Sequence, residues 1–270
     1  LDALRRKLSL AHAMGADTPR ALCLGALAHV WKWDIGRIDS AFDEEHAPSA
    51  LTLDERERLV MAPDPQAPLH VQGDFPEWMT PMMERAFDEN AVVEAQAMAV
   101  RAPVDLRINL IKADVEKAEK ALRSVKAIPM PLLKNGFRVP APDPSVRAGS
   151  VESIPAYSKG WVEVQDAGSQ IAAAGANCQP GEQVLDYCAG GGGKTLAASA
   201  AMNNQGQIYA YDIDGRRLSA LIPRLKRSGA RNVQLRHPQE DLGLDDLENA
   251  AELIAQFCLG VDAESDFTPT

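Results

Sequence analysis

Apolar residues recur at helical spacing along residues 1 to about 60, as in Ala21, Leu22, Leu24, Leu27, Ala28 and Trp31. That period gives each segment one buried face and predicts several short helices with no strands. Trp31 and Trp33 lie on the pattern and read as packing residues, because large aromatics favour burial. Prolines 63, 65 and 68 break the pattern, so 62–68 is predicted as a linker. The spacing then predicts a helix over 80–99, a strand over 106–111 and a helix over 114–124. On that last helix Glu116, Lys117, Glu119 and Lys120 take the wet faces. Pro129, Pro131, Pro140, Pro142 and Pro144 are read as turns and extended chain. A short strand at 160–166 leads into a helix capped near Asp166. Strands at 183–187, 207–211 and 233–235 follow with helices between them, the second kinked or restarted by Pro223. Strands alternating with helices give half of a doubly wound parallel sheet, an α/β arrangement. An amphipathic helix is predicted over 244–257.

The candidate chemistry sits where the first of those three strands ends. Val184-Leu185-Asp186 runs into Tyr187-Cys188-Ala189, then Gly190-Gly191-Gly192-Gly193, then Lys194-Thr195 and an alanine-rich helix. Glycines let a backbone take positive φ or approach a ligand closely, and a helix opening there offers free N–H groups to it. Three cofactor readings compete. A phosphate-binding loop needs a glycine where Cys188 stands. A dinucleotide fingerprint needs a different last glycine spacing. The third is an S-adenosylmethionine loop, in which the backbone passes close to the methionine part. An acid ending the next strand then takes the ribose hydroxyls. Asp212 ends the strand at 207–211; the plainer role open to it is as cap of a helix beginning near Gly215.

Several ordered motifs resemble one family. Gln165-Asp166-Ala167-Gly168-Ser169-Gln170, Pro180-Gly181-Glu182, the strand-loop of 184–195, Asp212-Ile213-Asp214-Gly215-Arg216-Arg217-Leu218 and 227–233 look like the Sun-type RNA (cytosine-C5) methyltransferases. So do Phe75-Pro76-Glu77-Trp78 and 101–109, and the likeness runs from about Phe75 to about Asp241. One departure is that Gly190 and Gly191 stand where the family has alanine and proline. The resemblance implies a Rossmann-like class I methyltransferase domain at 149–270, a small α+β RNA-binding domain at 68–148 and a helical region at 1–62, a shortened NusB-like segment. It implies S-adenosylmethionine held by the backbone of Cys188, Ala189, Gly190, Gly191, Gly192, Gly193 and Lys194. Asp212 would take the ribose, Arg217 would support Asp212, and Asp241 would meet the adenine amine. Arg107 and Asn109 would contact RNA, ribosomal by family analogy, and the reaction would be methylation of cytosine C5.

That reaction needs a low-pKa cysteine that adds to the base. The family carries two cysteines, each beside a proline, at the ends of its fourth and fifth strands. Neither motif occurs here. Cys188 and Cys258 are not assigned that role, and the catalytic residues stay unknown. The helix at 244–257 looks like one that follows the second cysteine motif in the family, so residues are expected to be omitted near 241–246. A deletion is the alternative, leaving a catalytically silent RNA-binding or assembly module that keeps the cofactor loop. A nucleotide-phosphate enzyme using Lys194 is the third possibility.

The chain has 270 residues and a net charge of −10, which argues mildly against a nucleic-acid partner. Distribution changes that picture. Between 216 and 236 lie Arg216, Arg217, Arg224, Lys226, Arg227, Arg231 and Arg236 with no acid, while the acids gather at 39–57 and from Glu240 onward. A basic middle can neutralise phosphates; its plainer role is a solvated helix face. The four cysteines form no C-x-x-C pair and the five histidines show no ligand spacing, so neither a metal site nor a disulfide framework is expected. No apolar run reaches membrane-spanning length and no signal peptide is evident, so the cytoplasm is expected. The leucine at position 1 suggests a fragment.

Overall fold

The computed structural model describes residues 1–43, 46–146 and 149–236. Two compact units make up the chain. One unit comprises 1–102 and 141–148, the other 103–140 and 149 onward.

The described residues of the first unit are helical: α1 (Asp2–Arg5), α2 (Lys7–Met14), α3 (Pro19–Gly25), α4 (Ile35–Phe42), α5 (Leu53–Val60), α6 (Leu69–Gly73), α7 (Thr80–Phe87) and α8 (Ala91–Met98). Caps set their starts. Thr18, Asp34 and Thr52 each accept from a backbone N–H, and Thr52 forms a reciprocal box with Glu55. Met14, Leu24, Ile38, Leu51 and Leu59 close the core, with Trp33 packed on it. Trp31 meets Trp33 edge-on at 5.7 Å and donates its indole N–H to Asp2, so both tryptophans serve packing. The single helix expected over 80–99 is broken by a 3-10 turn, Asp88–Asn90, where Asp88 takes φ +46°. A left-handed residue cannot continue a right-handed helix.

The second unit holds two sheets. The first is antiparallel, with strand order β2-β3-β1-β4, formed by β1 (Val104–Ile108), β2 (Ile128–Met130), β3 (Leu133–Val139) and β4 (Val162–Val164). The helix α9 (Val115–Leu122), capped by Asp114, packs on it. The hairpin β2–β3 occupies the proline-rich stretch expected as turns and extended chain. Pro129 is tolerated because β2 is an edge strand. β1 ends at Ile108, short of the expected 111, where the Asn109 carbonyl accepts from the amides of Lys112 and Ala113. Leu106, Ile108, Ala118, Leu122 and Phe137 share one core with Val151, Ile154, Ala156 and Val162. That shared core is why 103–140 joins the residues from 149 onward in one unit: β1 and β4 are neighbours in one sheet.

The second sheet is parallel, in the order β5 (Gln183–Asp186), β6 (Gln207–Tyr211), β7 (Val233–Arg236). Connecting helices are α12 (Gly193–Ala201) between β5 and β6, then α13 (Gly215–Ser219) and α14 (Leu221–Ser228) between β6 and β7. The break falls at Ala220, and Pro223 sits in the first turn of α14, where its missing N–H costs nothing. The short helix α10 (Pro155–Ser158) precedes β4, and α11 (Ala167–Gly175), capped by Asp166 as expected, precedes β5. Ile208 and Ala210 of β6 point into the helix layer, beside Met202 of the α12 C-cap and Leu196, Leu218 and Leu221. This is the Rossmann-like α/β arrangement expected for the sheet.

Two polar anchors join the sheets. Asp105 pairs with Arg138 opposite it in register, at 2.6 and 2.8 Å, and also accepts from the Ala167 amide at 2.9 Å, where α11 begins. The Arg138 guanidinium holds the Asp105 carboxyl below the usual carboxylate range. Asn109, 2% exposed, donates from Nδ2 to the carbonyls of Gly160 at 2.9 Å and Ser228 at 2.7 Å, tying the end of β1 to the end of α14.

Candidate functional site

The glycine turn between β5 and α12 is fixed by backbone and carboxylate contacts. The Ala189 amide donates to the carbonyl of Tyr211 at 2.9 Å, which holds the turn against the end of β6. Gly190 N donates to Asp212 Oδ2 at 2.8 Å, and Asp212 Oδ1 accepts from the Asp214 amide at 2.9 Å. Asp212 is buried. The Asp214 amide first, then the Gly190 amide and the charge of Arg217, hold its carboxyl below the usual range. Asp214, rather than Asp212, caps α13 by accepting from Arg216 N, so the capping role left open for Asp212 belongs to its neighbour.

Only two of the four glycines need their freedom. Gly190 takes φ +53° and Gly192 φ +79°. A Cβ on Gly192 would lie 2.1 Å from Leu221 Cδ1. Gly192→Ala is therefore expected to destabilise the protein by about 1–3 kcal/mol, through a strained φ and overpacking. Urea denaturation checks this against Gly215→Ala, whose new methyl meets nothing within 4 Å. Equal midpoints for the two variants would contradict the steric account.

Helix α12 begins with no side-chain cap, at Gly192. Among the described residues no partner is recorded for the amides of Gly193, Lys194 and Thr195. Three donors thus point outward at the positive end of a helix. Cys188 and Lys194 are exposed, and Ala189, Gly190 and Gly192 are buried. Thr195 is wholly buried and donates its hydroxyl to Asp186 at 2.6 Å. That bond commits the hydroxyl which a phosphate-binding loop would offer to a metal, and it places a second carboxylate beneath the turn.

Arg217 reaches over the turn, with Nη2 3.2 Å from where a Gly190 Cβ would stand. Ile213 is 84% exposed directly after Asp212, and a shallow depression of about 600 Å³ beside it is lined by Ile213, Asp214, Gly215, Arg216 and Ser219. The local signal for Ile213 is an apolar side chain directly after a strand-ending acid. Asp241 lies outside the described residues, as does Cys258, and so does the stretch 241–246 where residues were expected to be omitted.

Arg107 and Asn109, given RNA contacts by resemblance, do not face solvent. Arg107 is 8% exposed and donates from Nε to Gln165 Oε1 at 2.8 Å, and both amide protons of Asn109 are taken by carbonyls. Alternation along β1 could not reveal this, because both faces of that strand are covered. Cys178 is buried near Ala198, Met202 and Ile208, and burial raises its thiol pKa, which suits packing and not attack. Among the described residues no group of His, Cys, Asp and Glu could hold a metal ion, and no helix is long and apolar enough to cross a membrane.

Comparison with known proteins gives a consistent picture. A family model described as "16S rRNA methyltransferase RsmB/F" matches residues 174–248. The probable ribosomal RNA small subunit methyltransferase B of Synechocystis sp. is 34% identical over 167 residues, 61% of this chain and 36% of that protein. The ribosomal RNA small subunit methyltransferase B of Shigella flexneri is 33% identical over 156 residues, 57% of this chain and 35% of that protein. The chain thus spans roughly a third of the length of these curated relatives. A crystal structure of a methyltransferase homolog protein from Pyrococcus horikoshii superposes with a TM-score of 0.56 at 28% identity, covering 67% of this chain and 58% of that one. NSun6 from Pyrococcus horikoshii with SFG shares the fold, with a TM-score of 0.52 at 17% identity over 60% of this chain and 65% of that one. Over residues 174–248 the chain is similar to the Sun-type methyltransferases that the RsmB/F model describes.

Proposed function

We propose that this chain binds S-adenosylmethionine at the turn between β5 and α12 and serves methylation of cytosine C5 in ribosomal RNA. The observation that carries the reading is Asp212, a buried carboxylate bonded to Gly190 of the turn and set beside the outward amides of α12. A carboxylate accepts hydrogen bonds from ribose hydroxyls and repels phosphates. With Asp186 under the same turn, a polyphosphate would meet two acids, whereas a nucleoside without phosphate meets none of that repulsion. Exposed Ile213 offers an apolar surface to a base, and Arg217 steadies the charge of Asp212. The free amides of α12 suit the polar amino-acid end of the ligand.

Bound S-adenosylmethionine would supply an electrophilic methyl group. This chain's described residues bind and orient that group. The exposed basic residues Arg216 and Lys226 are candidates for RNA phosphate contacts, in place of the buried Arg107 and Asn109. The described cysteines provide no assigned nucleophile. An activity on ribosomal RNA goes with a cytoplasmic location.

Thermal-shift titration tests the reading directly. S-adenosylhomocysteine at about 100 times its Kd is expected to stabilise the protein by about 2.7 kcal/mol, and ATP by nothing measurable. The reverse ranking would remove the proposal. Transfer of labelled methyl to unmodified 16S rRNA, located to a cytosine, tests the activity.

A further inference from the structure

A concentration of buried charge lies beside the glycine turn at Gly191. Glu163 on β4 is 1% exposed and accepts from Arg224 at 3.0 Å and from Arg227 at 2.6 and 2.7 Å. Arg107, on β1, stands opposite Glu163 in register. Two guanidinium groups are therefore bonded to this carboxylate, and a third stands opposite it without a bond to it. One of them reaches the turn, Arg224, which donates from Nη1 to the Gly191 carbonyl; Arg107 donates to Gln165, the residue that stands between it and the turn. The amide nitrogen of Gln165 lies 3.8 Å from where a Gly193 Cβ would stand.

Arg107 is the least satisfied of the three. Only its Nε has a hydrogen-bond partner among the described residues, and that partner is a neutral amide. No carboxylate among them pairs with it, although the residue is more than nine-tenths buried. Burial lowers its pKa to about 10, Glu163 opposing that shift and Arg224 adding to it, so it remains a cation at neutral pH. A buried guanidinium with two unused nitrogens matches a carboxylate, which it can take in a two-point bond.

We propose that Arg107, with Arg224 beside it, receives the α-carboxylate at the amino-acid end of the cofactor. This rests on the reading that the turn holds a sulfonium nucleoside. The turn then has a polarity that suits one ligand. Asp212, with Arg217 near it, lies beside Gly190, where ribose hydroxyls can donate, and Arg224 lies beside Gly191 with Gln165 beside Gly193 and Arg107 behind it, where a carboxylate can accept.

A pair of ligands isolates the claim. S-adenosylhomocysteine carries the carboxylate, and 5′-methylthioadenosine has the same nucleoside without the amino-acid end. In titration calorimetry Arg107→Met is expected to bind S-adenosylhomocysteine about ten-fold or more weakly than the unsubstituted protein, and methylthioadenosine equally well. Arg107→Lys should retain part of the preference. Equal losses for both ligands would show general damage to the turn and overturn the assignment, as would no loss for either. Unchanged S-adenosylhomocysteine affinity with weakened RNA binding would overturn it in favour of a phosphate contact. If Arg107→Met does not fold, the same ratio measured on Arg107→Lys decides, and an unchanged ratio rejects the proposal. Unsubstituted protein that binds neither ligand overturns the underlying reading, and the assignment with it.

Discussion

Replacing Glu163 with alanine is expected to destabilise the protein by about 3–5 kcal/mol, the range for removing one partner of a buried ion pair. The carboxylate is 1% exposed and is the only acid bonded to Arg224 and Arg227 among the described residues. Without it, those two and Arg107 would face one another as like charges in a poorly hydrated space. Arg227 has little to fall back on: its Nε is buried with no hydrogen-bond partner, and its guanidinium lies over the Tyr157 ring at 3.9 Å. Glu116→Ala is the control. Its pair with Lys120 is equally short at 2.7 Å, but the side chains are 79% and 62% exposed, so its removal should change stability by no more than about 0.5 kcal/mol. Urea midpoints for the two variants decide the matter. Comparable midpoints would show that Glu163 does not compensate the arginines.

The second large effect is expected at Asp212. Alanine there removes the acceptor for the Gly190 and Asp214 amides together with the proposed acceptor for ribose hydroxyls. S-adenosylhomocysteine affinity should fall on the order of a hundred-fold, while the far-ultraviolet spectrum stays that of a folded protein. Near-normal affinity in a folded Asp212→Ala protein would remove the ribose assignment. The pH dependence has a definite sign. The folded-state pKa of Asp212 lies below that of a free aspartate. Its contribution to stability is therefore complete above the free-aspartate pKa and disappears as pH falls through the lower, folded value. No change in cofactor affinity should arise from this group between pH 6 and pH 8.

Parts of the site were legible because they are local. The apolar run ending in Asp186, the consecutive glycines and the helix after them lie within one short stretch, and Asp212 ends the next strand. Strand, turn and helix each leave a signature at short range. The cap at Asp166 and the break before Pro223 were legible for the same reason. The hairpin β2–β3 was not, because prolines signal interruption, and only the position of β2 at a sheet edge makes Pro129 acceptable. The division of the chain was hidden too: β1 and β4, separated by more than fifty residues, form one sheet only through pairing.

The sequence by itself determined that this protein has a helical N-terminal part and a parallel strand-helix unit with a glycine turn closed by an acid. Those features follow from hydrophobic period, glycine and capping chemistry, which act between near neighbours in the chain. Only the tertiary structure decided which charges are buried. It placed Arg107 and Asn109 inside instead of on an outer face, and it brought Glu163 to Arg224 and Arg227 across more than sixty residues of sequence. Burial depends on what packs against both faces of a strand, and partners that distant leave no periodic trace at either end.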